Sequence, residues 1–96
     1  MGRIVMLYSL GMDHLSDLDA AILDFEETAP RSISRKEEAI RTRLDISPVR
    51  YHQRLNLLLD APAAAESHPL LVARLRRLRE ERENTRRAAR ENTPRR

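Results

Sequence analysis

The chain has 96 residues, a net charge of +3, no cysteine, no Trp, one Phe and two Tyr. A chain of this length forms one small domain, and so few aromatic side chains give little bulk to enclose a dry catalytic pocket, so an enzyme is not expected. The lack of cysteine excludes disulfides and thiolate zinc sites and favours a cytoplasmic protein.

The net charge hides a gradient along the chain. Residues 1–30 carry one basic and six acidic side chains. Residues 31–60 carry seven basic and four acidic side chains, and residues 61–96 carry ten basic and five acidic side chains. A basic second half favours an anionic partner, of which nucleic acid is the commonest, although a solvated charged helix is the simpler interpretation.

The opening stretch MGRIVMLYSLG is apolar but much shorter than the roughly 20 residues of a membrane-spanning helix. No small-residue cleavage site follows it, and acidic residues begin at Asp13. We therefore expect residues 1–15 to be a flexible extension with no membrane partner, and Met6 or Met12 could equally serve as the first residue.

The first helix is predicted near residues 17–27. Ser16 and Asp19 resemble a capping box, and Pro30 disfavours helical geometry in the residue before it. An apolar stripe at helical spacing is formed by Leu18, Ile22 and Phe25. The opposite face carries Asp17, Asp24 and Glu27. Since the chain offers no accompanying nucleophile, these carboxylates are expected to be a solvated face rather than acid and base catalysts.

Two helix-start signals then occur close together, in SRKEEAIRTRLDISPVRYHQRLNLLLD. Ser34 and Glu37 form an S-x-x-E capping box, which predicts a helix near residues 35–44. Ser47 followed by Pro48 predicts a second helix near residues 48–59. Only Asp45 and Ile46 lie between the predicted helices, and Asp tolerates left-handed backbone geometry. This spacing predicts a helix-turn-helix.

The second of these helices has an apolar stripe and a polar face. Leucines and Tyr51 form the stripe, and the predicted base-reading residues on the opposite face are Arg50, Gln53 and Asn56, whose side chains can pair with guanine or adenine edges. The residues predicted to bind DNA phosphates are Arg31, Ser32, Arg35, Lys36, His52 and Arg54. The simpler alternative is a helical hairpin that exposes ordinary polar residues. No ligand spacing links His52 to another histidine, so neither a metal nor a cofactor is expected.

A loop is predicted from Asp60 to Pro69, followed by a helix near residues 69–85. Beyond Leu78 the chain mixes charges of both signs and contains no large apolar residue. Pairs such as Glu83 with Arg87 can support helix there. This end either binds nucleic acid without sequence preference or is simply a solvated helix.

Together these patterns predict an all-α fold: a small helix-turn-helix-containing bundle of about four helices with a basic C-terminal helical tail. The helical domain is expected to span residues 16–80, and residues 81–96 to be a charged, partly disordered tail. The predicted core comprises Ile22, Phe25, Ile40, Leu44, Ile46, Tyr51, Leu55, Leu58, Leu71, Leu75 and Leu78.

The stretch ILDFE … KEEAIRTRLDISPVRYHQRLNLLLDAP … HPLLVARLRRLR resembles a family of short actinobacterial proteins, helix-turn-helix-like in character and catalogued as a domain of unknown function. The resemblance covers residues 21–82 and implies a helical fold and nucleic-acid association, with no established activity. This chain departs from the family pattern at Thr28 and Ala29, where relatives have an aromatic pair, and at Asp45, where they have glycine.

Two classes of function follow. The first is a small DNA-binding protein, a transcriptional regulator or nucleoid-associated factor, which binds double-stranded DNA as a homodimer because one helix-turn-helix reads too few base pairs. The alternative is a protein-interaction module that docks on the transcription machinery or another partner without reading DNA sequence. Binding of structured RNA through the arginine-rich end is a third possibility.

Overall fold

The computed structural model of the protein describes residues 15–91, and these residues contain helices joined by short connections, with no strand among them. Residues 1–14 and 92–96, which include most of the predicted extension and the end of the predicted tail, lie outside the described residues. In chain order the helices are α1 (Asp17–Glu27), α2 (Ile33–Ala39, continued by a π-helical turn at Ile40–Leu44), α3 (Pro48–Leu58), α4 (Pro62–Ser67) and α5 (Pro69–Glu91). The prediction of an all-α fold is therefore confirmed for this part of the chain.

Serine hydroxyls cap the first three helices. Ser16 accepts a hydrogen bond from the backbone N–H of Asp19 at 3.0 Å, and Ser47 accepts one from Arg50 N–H at 3.1 Å, both as predicted. The start of α2 differs from the prediction. Its N-cap is Ser32, whose hydroxyl accepts from Arg35 N–H at 3.5 Å, so the helix begins at Ile33 rather than after Ser34.

The connection between α2 and α3 is as short as predicted. Asp45 alone among the described non-glycine residues has a positive φ, at 57° with ψ 38°, which is the left-handed region. One residue in this conformation ends a helix abruptly, because the chain can no longer continue the right-handed spiral. Ile46 and Ser47 complete the connection, and Pro48 occupies the first turn of α3.

Two predictions of secondary structure for the second half of the chain are wrong. The segment predicted as a loop contains helix α4, which starts at Pro62 and runs through three alanines, the residue type with the highest helix propensity. Helix α5 continues to Glu91 instead of ending near residue 85. The described residues therefore form five helices rather than about four.

The core lies where α1 packs between α2 and α3, with α4 and the start of α5 covering it. Of the predicted core residues, those buried are Ile22, Phe25, Ile40, Tyr51, Leu55, Leu58 and Leu71. Leu44, Ile46 and Leu75 are half-buried. Leu78 was predicted to be buried and is 38% exposed, because it lines a groove between α3 and α5 that is open to solvent.

The core also contains residues that the predicted stripes omitted, namely Leu23, Ala39, Leu59, Ala64 and Val72. Leu23 is fully buried beside Ile22 because α1 is covered on more than one side. Within residues 15–91, no helix combines the length and apolar composition that crossing a bilayer requires.

Candidate nucleic-acid interface

Helix α3 buries one face and exposes the other. Tyr51, Leu55 and Leu58 are buried, and successive residues of a helix turn by about 100°, so the outward face is the one centred on Gln53. We call this the α3 outward face, and it consists of Val49, Arg50, Gln53, Asn56 and Leu57. All five residues are exposed. The structure thus places the three predicted base-reading residues together on one surface.

The α3 outward face contains two features that matter for binding. The side chains of Arg50 and Gln53 form no hydrogen bond or ion pair with the part of the chain that is described, so their donors are available to a ligand. Val49 is 68% exposed and Leu57 is 64% exposed. These two side chains lie eight residues apart, about 12 Å along the helix axis, so a partner that covered this face would bury both. Sequence reasoning missed Val49 and Leu57, although their positions four residues on either side of Gln53 could have revealed them.

Arg54, predicted to bind phosphate, is already paired within the fold. Its guanidinium donates to the carboxylate of Asp19 in a two-pronged arrangement, with Nη2 2.7 Å from Oδ2 and Nε 3.1 Å from Oδ1. The side chain of Asp19 is only 10% exposed. A buried carboxylate requires a partner that compensates its charge, and Arg54 provides it here. The resulting ion pair joins α3 to the first turn of α1.

Lys36 is likewise paired, with Glu26 of α1. The ammonium lies 2.9 Å from Glu26 Oε1 and 5.6 Å from the centre of the Tyr51 ring. The hydroxyl of Tyr51 donates to the same carboxylate. Burial raises the pKa of Tyr51 well above its ordinary value, and the hydrogen bond to Glu26 and the charge of Glu26 raise it further. Glu26 therefore connects α1, α2 and α3 through polar contacts.

The other predicted phosphate-binding residues are exposed. Arg31 and Arg35 flank the start of α2 and have no ion pair with any described residue. Ser32 accepts from Arg35 N–H as the cap of α2, and its hydroxyl also lies 3.3 Å from that of Ser34. His52 places its ring edge-on to Tyr51, with 5.1 Å between ring centres. Phosphate binding by all of these residues stays a prediction.

Asn56 connects the α3 outward face to α5. Its side-chain oxygen accepts a hydrogen bond from Arg79 Nη1 at 3.1 Å. The other nitrogen of the same guanidinium, Nη2, lies 2.8 Å from Asp60, and Arg76 lies 3.7 Å from that carboxylate. The hydrogen bond from Arg79 holds the pKa of Asp60 below its ordinary value, assisted by the positive charges of Arg79 and Arg76. The arrangement leaves the amide N–H groups of Asn56 as its remaining donors.

A solvent-open groove of about 290 Å³ separates α3 from α5. We call it the α3–α5 groove. Its floor is apolar, formed by Leu55, Leu59, Leu75 and Leu78. Its rim is polar and includes His52, Asn56, Arg79 and Arg82. Because these rim residues adjoin the α3 outward face, a ligand on that face would lie close to the arginines of α5.

One group of potential metal ligands occurs among the described residues. Asp24, Glu27 and His68 place ligand atoms within 4.8 Å of one another. His68 Nε2 is 2.8 Å from Asp24 Oδ1, and His68 Nδ1 is 2.7 Å from the hydroxyl of Ser67. Both carboxylates are exposed. The observed contacts connect the start of α5 to α1.

Residues 14–87 match a family described as a protein of unknown function, DUF3263. The chain belongs to the DUF3263 family. The match extends beyond residues 21–82, where the sequence resemblance was noted, and includes α1 through most of α5. No curated protein and no solved structure matches the chain.

Proposed function

We propose that this DUF3263 chain is a small DNA-binding protein, a transcriptional regulator or nucleoid-associated factor, in which α2 and α3 act as a helix-turn-helix. The observation that carries the proposal is the α3 outward face. Arg50 and Gln53 are exposed there, and their side-chain donors are unused by any residue that the structure describes, on a helix whose other face is anchored in the core. A rigid helix with free donors suits the major groove, which displays a distinct pattern of acceptors and donors for each base pair.

The roles within this proposal differ from one residue to another. Arg50 and Gln53 lie in the early turns of α3, which approach base edges most closely in a helix-turn-helix, and Val49 can contact the methyl group of thymine. Arg31 and Arg35 have no ion-pair partner within residues 15–91 and suit phosphate contacts. Lys36 and Arg54 have their charges matched by Glu26 and Asp19, so they act mainly by holding the helices together. A homodimer would supply the second half-site that one module lacks.

A test begins with a duplex selected from a random-sequence pool by the parent protein. Arg50→Ala is expected to cost about 1–3 kcal/mol on the selected duplex and to relax its base preference. Arg35→Ala should weaken selected and scrambled duplexes alike, because a phosphate contact carries no sequence information. Arg77→Ala removes the same charge from an exposed position on α5 that has no ion pair with described residues, and it serves as the control. If Arg50→Ala binds both duplexes as the parent does, α3 does not read DNA.

The second candidate function is a protein-interaction module. The exposure of Val49 and Leu57 favours it, because a protein partner could bury both side chains on the α3 outward face. The salt dependence of binding distinguishes the two candidate functions. DNA binding should weaken steeply between about 50 and 200 mM salt, whereas docking on an apolar surface should change little over that range.

A further inference from the structure

Helix α5 continues beyond the core with an uneven distribution of charge. Every residue from Glu80 to Glu91 is exposed. With about 100° between successive residues, Arg82, Arg86 and Arg90 fall on the side of α5 that bears Val72 and Leu75 nearer the core. Glu80, Glu81 and Glu91 fall on the other side together with Arg77 and Arg87, and Glu83 lies at the edge of the arginine side, close to Arg90. The side of α5 that bears the three arginines therefore carries net positive charge.

The three arginines, which we call the α5 arginine row, are available to a ligand. Arg79 is occupied by Asp60 and Asn56, but Arg82, Arg86 and Arg90 form no ion pair or hydrogen bond with the described residues. Pairing of Glu83 with Arg87, considered from the sequence, is also not observed between these described residues. The row therefore presents unneutralised positive charge.

The α5 arginine row lies near the α3 outward face. Asn56 of that face lines one surface depression together with Arg79, Arg82, Arg86 and one carboxylate, that of Glu83. A ligand that contacts Asn56 from outside can therefore reach the first two arginines of the row. Their spacing of four residues corresponds to about 6 Å along the helix axis, so the row presents regularly spaced cations. Regular cations suit a regular polyanion such as the phosphate backbone of DNA, with one charge per roughly 3.4 Å along each strand.

We propose that the α5 arginine row binds the phosphate backbone of the same DNA duplex whose groove α3 enters. This inference rests on the proposed function and adds a second contact surface to it. The row adds phosphate contacts to those of Arg31 and Arg35, because Lys36 and Arg54 are engaged by Glu26 and Asp19. Arginine is suited to this role because its planar guanidinium can donate two hydrogen bonds to one phosphate.

The test compares two double variants of the full chain that lose the same charge. Arg82→Gln with Arg86→Gln removes two members of the row, and Arg74→Gln with Arg77→Gln removes two exposed arginines from the opposite side of α5. Binding to a selected and a scrambled duplex is measured across about 50 to 200 mM salt. Loss of two phosphate contacts should make the slope of log affinity against log salt concentration less steep by about 1.8. Across that salt range the parent should therefore lose about 12-fold more affinity than this variant loses. The control pair should match the parent.

A third variant checks that charge is responsible. Arg82→Lys with Arg86→Lys should keep a salt slope close to that of the parent, because lysine also contacts phosphate as a point charge. Thermal unfolding followed by circular dichroism should be the same for all three double variants, since none of these four side chains has a partner among the described residues.

The outcomes for α5 and for α3 can be distinguished. Arg82→Gln with Arg86→Gln could bind DNA as the control variant does while Arg50→Ala still loses base preference. In that case the α5 arginine row does not bind DNA and the role of α3 stands. If the row variant loses affinity while Arg50→Ala changes nothing, the row binds DNA and α3 does not read it. If the parent binds no duplex, both proposals are wrong.

Discussion

Glu26 shows how one carboxylate organises three helices. It accepts from the hydroxyl of Tyr51 on α3 and pairs with Lys36 on α2, while Lys36 also lies over the Tyr51 ring. Tyr51 itself is fully buried and meets Phe25 edge-on, with 5.6 Å between ring centres. The orientation of α3, and with it the direction of the α3 outward face, depends on this group of side chains.

Replacing Tyr51 with Phe removes the hydroxyl and keeps the ring. At neutral pH this change should cost about 1–2 kcal/mol of unfolding free energy, because Glu26 loses one donor. The parent should also lose stability at high pH. The pKa of Tyr51 is raised in the folded state, so above the unfolded value of about 10 the unfolded chain releases a proton that the folded chain retains, and unfolding becomes more favourable.

The cost of Tyr51→Phe should therefore shrink as the pH rises above about 10. Urea unfolding of the parent and of Tyr51→Phe between about pH 7 and 11 measures this difference in unfolding free energy. Both proteins also carry Tyr8→Phe, so that the other tyrosine does not contribute. Parallel loss of stability by the two proteins across this range would show that the Tyr51 hydroxyl titrates as it does in the unfolded chain.

At the scale of elements, the α2–α3 connection was the most predictable feature. The short spacing, the Ser-Pro start and an Asp able to take left-handed geometry are all local signals, and the structure has Asp45 at a φ of 57°. Local signals were less reliable where several overlapped. Ser32 and Ser34 can both cap a helix, and only the folded chain shows that Ser32 does so.

Asp45→Gly tests the cost of this connection. Glycine adopts positive φ without a Cβ clash, so the variant should be as stable as the parent or up to about 1 kcal/mol more stable. Asp45→Val provides the comparison at the same exposed position and should be about 1–2 kcal/mol less stable than the parent. Thermal unfolding followed by circular dichroism measures both. Equal melting temperatures for the glycine and valine variants would mean that the left-handed conformation contributes no strain.

At the scale of the whole molecule, periodicity predicted which helices exist and much of what they bury, but it did not predict what the surface charges contact. The pairs Arg54 with Asp19 and Lys36 with Glu26 join residues 35 and 10 positions apart in sequence. Such pairs follow from how α1 packs on α2 and α3, which no local pattern determines. The same limitation explains Leu78, whose helical spacing fits a core position but which lines the open groove between α3 and α5.

Charge is therefore divided between two roles across the fold. The acidic side chains of α1 neutralise Lys36 and Arg54 internally, whereas Arg50 and the α5 arginine row are left unpaired among the described residues. The basic half of the chain thus presents exposed arginines on α2, α3 and α5. The proposed DNA interface uses those of α3, α5 and the start of α2.

The most direct test of the interface is an amide chemical-shift titration of the ¹⁵N-labelled full chain with a short random-sequence duplex at low salt. The largest shifts are expected in residues 49–57 of α3 and residues 82–90 of α5, and they should disappear as salt is raised. Shifts confined to α1 and the start of α5 near Leu70, or a spectrum unchanged by DNA, would contradict the proposed DNA interface.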